Sequence, residues 1–251
     1  MIRFFANPLD ISAKSIRLNE EDSKHIRSLR LRPDEQIIVC DGVGYDYVCK
    51  LGERYDGTNV DIIEKHRSFS EPTVRCRSCI AYSKGDRLDY AVQKSVELGV
   101  FEIILFESER CVAVPNNIPK KIERLQRIAF ETAKQSGRGI IPVVSSGGNF
   151  EEMLDQAVSN SALSVLFYEC EDQLHIKDIF EQHFLPADGS KNGEIKPVSL
   201  ITGPEGGFEP FEVELAKSKD IKIVSLGPRI LRSETAPIVA LSAIMYQTGN
   251  L

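Results

Sequence analysis

From Val74 onward, short apolar runs alternate with amphipathic stretches, and this alternation restricts the fold more than any other feature of the chain. Residues 74–81, 102–106, 141–144, 163–168, 198–202 and 221–226 have the length and apolar content of buried strands. Between them apolar positions recur at helical spacing. Leu88, Ala91, Val92 and Val96 form one such stripe. Ile122, Leu125, Ala129 and Ala133 form another within a long helix predicted over 118–136. Further helices are predicted at 150–158, 176–184 and 211–218, with a last one starting near Thr235. Strands joined by helices cannot pair as hairpins, so the pattern predicts an α/β domain with a mostly parallel sheet flanked by helices.

Before Pro72 the rhythm differs. Apolar runs at 36–40, 45–51 and 60–63 are separated by turn residues such as Asp41-Gly42-Val43-Gly44, with a short helix at 22–29. Three short strands with glycine turns predict a small N-terminal β-barrel. Ser68-Phe69-Ser70-Glu71-Pro72 interrupts both patterns, so domains of 1–70 and 73–251 are expected. The stretch 186–197 is polar and rich in glycine and lysine, and reads as a loop without an assigned role.

Several chemistries find no support. No apolar run nears the roughly 20 residues of a membrane span. The N-terminus has no apolar leader, so a cytoplasmic location is expected. Six scattered cysteines read as reduced thiols. Cys76 and Cys79 form a C-x-x-C pair, but three positions apart on a strand they point to opposite faces, and no second pair completes a metal site. His25, His66, His175 and His183 lack metal-ligand spacing, so no metal is expected. P-loop, dinucleotide-binding and nucleophile-elbow motifs are missing.

The net charge of −6 is unevenly spread: −1 over residues 1–70, +3 over 71–145 and −8 over 146–251. A basic surface therefore belongs before the acidic final third. Lys120, Arg124, Arg127 and Lys134 share a face of the long helix, and Arg138 follows. This face is a candidate for nucleic acid or simply a solvated one.

Two loops carry the functional reading. Gly203-Pro204-Glu205-Gly206-Gly207 follows the strand ending at Thr202, and Leu226-Gly227-Pro228 follows the next strand. In an open α/β sheet, ligands bind beyond the carboxyl ends of strands. The second loop continues through Arg229, Ile230, Leu231, Arg232, Ser233 and Glu234 into a helix beginning Thr235-Ala236. Arg229, Arg232 and Glu234 crowd charge beside an apolar helix, which calls for partners or a ligand.

These segments resemble the signature of the RsmE family, the 16S ribosomal RNA uridine-N3 methyltransferases of the knotted SPOUT class. The resemblance extends to Lys84-Gly85-Asp86-Arg87-Leu88-Asp89, 93–100, Ser108-Glu109-Arg110-Cys111, Gln135-Ser136-Gly137-Arg138 and His25-Ile26-Arg27-Ser28-Leu29-Arg30. It implies an N-terminal PUA-like barrel for RNA, a C-terminal domain with a trefoil knot, and a homodimer. It also implies S-adenosyl-L-methionine as methyl donor and the small ribosomal subunit as partner. The donor is expected among Leu200, Ile201, Thr202, Gly203, Glu205, Gly206, Leu226, Gly227, Pro228, Ile230, Leu231, Thr235 and Ala236. Arg232 is the candidate for holding a uracil oxygen, with Glu234 as base or as orienter of Arg232. The two could instead form a structural ion pair. Arg3, Arg27, Arg30, Arg124, Arg127, Arg138 and Arg229 are candidates for RNA contact, with Arg32 a further one. A ribose 2′-oxygen or transfer RNA methyltransferase and a non-catalytic assembly factor are the alternative readings.

Overall fold

The computed structural model describes residues 2–32, 35–51, 59–159, 161–184 and 197–251. They divide into two compact units, Met1–Glu71 with Ala133–Ile141, and Pro72–Thr132 with Pro142–Leu251. Residues 186–196 of the polar stretch noted above lie outside the described residues.

The first unit is a curled five-stranded sheet of β1 (Arg3–Phe5), β2 (Ser15–Arg17), β3 (Gln36–Cys40), β4 (Tyr45–Lys50) and β5 (Asn59–Arg67), in the order β1-β3-β4-β5-β2. β1 runs parallel to β3; the other pairings are antiparallel. The sequence predicted only three of these strands. β1 and β2 span three residues each, too few for an alternating pattern to register. They nonetheless bury Phe4 and Ile16 completely, against Ile37, Val39 and Val60. The helix α1 (Glu20–Leu29) starts where the Asn19 side chain accepts the Asp22 N–H at 2.7 Å, and it buries Ile26 in the same core.

Two carboxylates anchor this unit. Asp46 receives both terminal nitrogens of Arg3 at 2.9 Å, and the Ser68 hydroxyl donates to it. Glu71 receives Arg138 at 2.7 Å together with the N–H groups of Gly139 and Ile140.

The second unit holds β6 (Cys76–Ala81), β7 (Glu102–Glu107), β8 (Val143–Asn149), β9 (Leu163–Phe167), β10 (Val198–Thr202) and β11 (Lys222–Val224). They form one sheet in the order β11-β9-β10-β6-β7-β8, and every pairing is parallel. The helices are α2 (Arg87–Glu97), α3 (Ile118–Ser136), α4 (Phe150–Ser159), α5 (Ile176–Phe184), α6 (Pro210–Ser218) and α7 (Thr235–Gln247). The last turn of α3 is counted with the first unit. All five residues of β9 and of β10 are buried, as in a sheet covered on both faces. Phe106, Phe150 and Phe208 pack in series within one core cluster, their rings tilted by 48° with centroids 5.9 and 5.5 Å apart. Among the described residues, no helix is long and apolar enough to cross a membrane.

β8 is longer than its apolar pattern predicts. The predicted strand ends at Val144, whereas the observed one continues through Ser145-Ser146-Gly147-Gly148-Asn149. Tight packing accounts for the strand. A side chain at Gly147 would place its Cβ 2.6 Å from Ile104, so glycine here serves close approach inside a strand.

Candidate functional site

The two glycine-proline loops do not follow neighbouring strands. β9 lies between β10 and β11, and its own carboxyl end is a third wall of the site. The register aligns Thr202 with Phe167, and Phe167 with Val224. All three chains therefore leave the sheet at one edge. They surround a cavity of about 600 Å³, a size that suits a ligand of nucleoside dimensions.

Close packing shapes the β10 loop. Gly203 lies against Phe208, one of the largest buried side chains, and an added Cβ would sit 3.0 Å from that ring. We therefore expect Gly203→Val to push the loop toward the cavity and weaken ligand binding at least about tenfold, with overpacking costing roughly 1–3 kcal/mol. Titration calorimetry and thermal unfolding would measure the two effects. Arg110 braces the other side of this loop, donating to the Gly206 carbonyl at 3.1 Å and pairing with Glu209 at 2.6 Å.

Arg87, the first residue of α2, joins the two loops electrostatically. Its guanidinium is 2.8 Å from Glu205 and 3.9 Å from Glu234. Glu205 also accepts the Lys84 N–H at 2.9 Å through the same oxygen, Oε1, while its Oε2 is buried with no hydrogen-bond partner. Burial acts to raise the Glu205 pKa, but the backbone N–H groups of Lys84 and of Glu205 itself, with the Arg87 guanidinium, outweigh it and hold the carboxyl below the usual glutamate range. A depressed pKa contributes stability above the unfolded-state value and loses it as pH falls through the folded one. Acid unfolding of Glu205→Gln should consequently lack part of the stability that the parent loses below the ordinary glutamate range.

Arg232 and Glu234 form no ion pair with each other. Glu234 turns toward Arg87 and accepts from Ser233 at 3.3 Å. The Arg232 side chain is exposed on the cavity wall, and no ion pair holds its guanidinium among the described residues. Both residues line the cavity with Thr202, Gly203, Glu205, Leu226, Gly227, Pro228, Ile230, Leu231 and Ala236. Arg229, expected to contact RNA, lines it too. Leu200 and Ile201 are fully buried inside β10, Gly206 sits against Arg110, and Thr235 opens α7.

The other arginines expected at RNA separate into two groups. Arg3 and Arg138 are committed to Asp46 and Glu71, and Arg138 is only 3% exposed, so neither offers its guanidinium to a large anionic partner. Arg27, Arg30, Arg124 and Arg127 are exposed, although Arg124 pairs with Asp89.

Sequence reasoning did not assign Arg87, Tyr168, Glu169, Glu171 or Asp172 to the cavity. The signal for the last four was available: Tyr168 and the acidic residues directly follow the mostly apolar, fully buried β9. Arg87 lay within a matched motif but had no visible partner.

Comparison with known proteins finds relatives along nearly the whole chain. A family model described as an RNA methyltransferase domain matches residues 70–245, and one described as an RNA methyltransferase PUA domain matches residues 18–64. The ribosomal RNA small subunit methyltransferase E of Bacillus subtilis is 33% identical over 95% of this chain and 93% of its own. That of Aquifex aeolicus is 30% identical over 91% and 93%. The crystal structure of the Neisseria gonorrhoeae enzyme bound to S-adenosyl methionine superposes with a TM-score of 0.79 at 30% identity. It covers 98% of this chain and 97% of that one.

Proposed function

This chain belongs to the ribosomal RNA small subunit methyltransferase E family, and from that membership we propose that it transfers a methyl group from S-adenosyl-L-methionine to N3 of one uridine in 16S ribosomal RNA. The observation that carries the reading is the three-loop cavity at the carboxyl edge of the parallel sheet, built from the family's two C-terminal motifs.

The donor fits this cavity in size and in chemistry. Gly203 and the stretch from Leu226 to Leu231 line it, and the acidic residues on the same wall suit a ligand that carries a cationic sulfonium. That sulfonium supplies an activated methyl group, so the protein's tasks are to align it with N3 and to manage the N3 proton. Arg232, exposed and held in no ion pair among the described residues, is suited to stabilise the negative charge that develops on a uracil oxygen as N3 loses its proton. Glu234 lines the same wall and is the candidate to accept that proton. Arg87, 3.9 Å from Glu234 on the same wall, helps to orient that carboxylate.

RNA contact is assigned to the barrel of the first unit and to the exposed Arg27, Arg30, Arg124 and Arg127. The assembled small subunit is the proposed substrate in the cytoplasm, since a chain of net charge −6 is poorly suited to tight binding of RNA in general. A homodimer is supported by α7, where Ile238 and Val239 are only half-buried and Tyr246 is 77% exposed.

Mass spectrometry of 16S ribosomal RNA nucleosides tests the reading. The purified protein should add one 3-methyluridine to RNA from cells lacking it, and more to isolated subunits than to free RNA. A 2′-O-methyl nucleoside, or no methylated product, would overturn it.

A further inference from the structure

The charge on the cavity wall exceeds what binding a neutral nucleoside requires. Five carboxylates, from Glu169, Glu171, Asp172, Glu205 and Glu234, line it against three arginines. The positive charge of Arg87 is shared between Glu205 and Glu234, so that trio alone is net negative. Glu205 and Glu234 are the sequestered pair, with side chains 20% and 18% exposed, and Glu205 alone of the two has a buried oxygen, Oε2, without a hydrogen-bond partner. A carboxylate with one oxygen left uncompensated projects more of its charge into neighbouring low-dielectric space than a fully hydrogen-bonded one. Glu169 adds to this field, since its carboxylate lies against Gly207 of the same loop.

Methyl transfer changes the charge of the bound nucleoside. The sulfur–methyl bond breaks with its electron pair left on sulfur, the methyl group bonds to N3, and the N3 proton departs. A cationic sulfonium has become a neutral thioether. The ammonium and carboxylate of the amino-acid part are the same before and after. The acidic wall can therefore tell donor from product only through the sulfur.

We propose that this cavity selects its nucleoside by charge, with Glu205 as the specificity-determining residue that favours the sulfonium donor and releases the thioether product. The inference rests on the donor assignment made above. One unit charge several ångströms away, partly offset by Arg87, corresponds to roughly a tenfold preference at an effective dielectric of about 20.

Calorimetry on the intact protein tests it with three ligands: S-adenosyl-L-methionine, S-adenosylhomocysteine, and sinefungin, which carries an ammonium near the sulfonium position and transfers nothing. The parent should bind both cationic ligands about tenfold more tightly than the thioether. Glu205→Gln should reduce that preference to roughly twofold by weakening the cations alone. Glu169→Gln, at an exposed position that does not threaten folding, should reduce it by a smaller factor. Equal or tighter binding of the thioether by the parent overturns the proposal. So does an equal loss of all three ligands in Glu205→Gln accompanied by an unchanged preference in Glu169→Gln, since Glu205 would then only shape its loop. Binding of none of the three would overturn the donor assignment itself, which separates the two failures.

Discussion

Arg232→Ala should lower methylation of 16S ribosomal RNA by about 100- to 1,000-fold, the usual cost of removing one preorganised charge from a developing anion. Donor affinity should stay within about threefold of the parent. The two effects can be separated because of how Arg232 is held. Its side chain is exposed and in no ion pair among the described residues, so truncation should change stability by no more than about 0.5 kcal/mol. Its structural work is done by the backbone. The Arg232 carbonyl accepts the N–H groups of Thr235 at 2.8 Å and Ala236 at 3.0 Å, which starts α7, and alanine keeps that carbonyl. Single-turnover methylation together with donor calorimetry would measure both quantities. A parental rate in a folded, donor-binding variant would remove Arg232 from the mechanism. Arg232→Lys should recover only part of the loss, because an ammonium lacks the planar fork that addresses adjacent oxygen and nitrogen edges.

The architecture of the second unit was legible because its signals are local. The strands from β6 to β11 carry apolar runs, α2 and α3 carry stripes at helical spacing, and α7 is apolar nearly all round. The β8 strand was cut short because its second half depends on Ile104 crowding Gly147, a contact between residues far apart in sequence. The site was legible to the same depth. Its two loops were visible as motifs, but chain order does not give sheet order. Nothing local places β9 between β10 and β11, so the third wall of the cavity was missed. The partner of Glu234 was out of reach for a related reason. Proximity in sequence pairs Arg232 with Glu234, whereas the fold brings Arg87 to Glu234 from more than a hundred residues away. Arg138 shows the converse: a basic residue after a basic helix reads as a surface cation until the fold supplies Glu71.

That last pair should dominate the stability of the first unit. Glu71→Ala is expected to destabilise it by roughly 3–5 kcal/mol, the cost of breaking a buried ion pair from one side. The Arg138 side chain is only 3% exposed and that of Glu71 13%, so water is poorly placed to replace the carboxylate. The loss is compounded because Glu71 also accepts the N–H groups of Gly139 and Ile140, at 2.8 and 3.0 Å. Against a whole-domain stability of about 5–15 kcal/mol, this is a large fraction. Glu71→Gln keeps an acceptor for the two amides while removing the charge, so it should fall between the parent and the alanine variant. Hydrogen exchange locates the effect. Amides of β3 and β4 should lose protection in Glu71→Ala, while those of β9 and β10 keep theirs. Every residue lining the cavity lies in the second unit, so binding of S-adenosyl-L-methionine should survive at temperatures where the barrel has opened, and RNA methylation should not. Equal loss of protection in β9 and β10 would mean that the two units unfold as one. The separation of donor binding from RNA recognition would then not extend to stability.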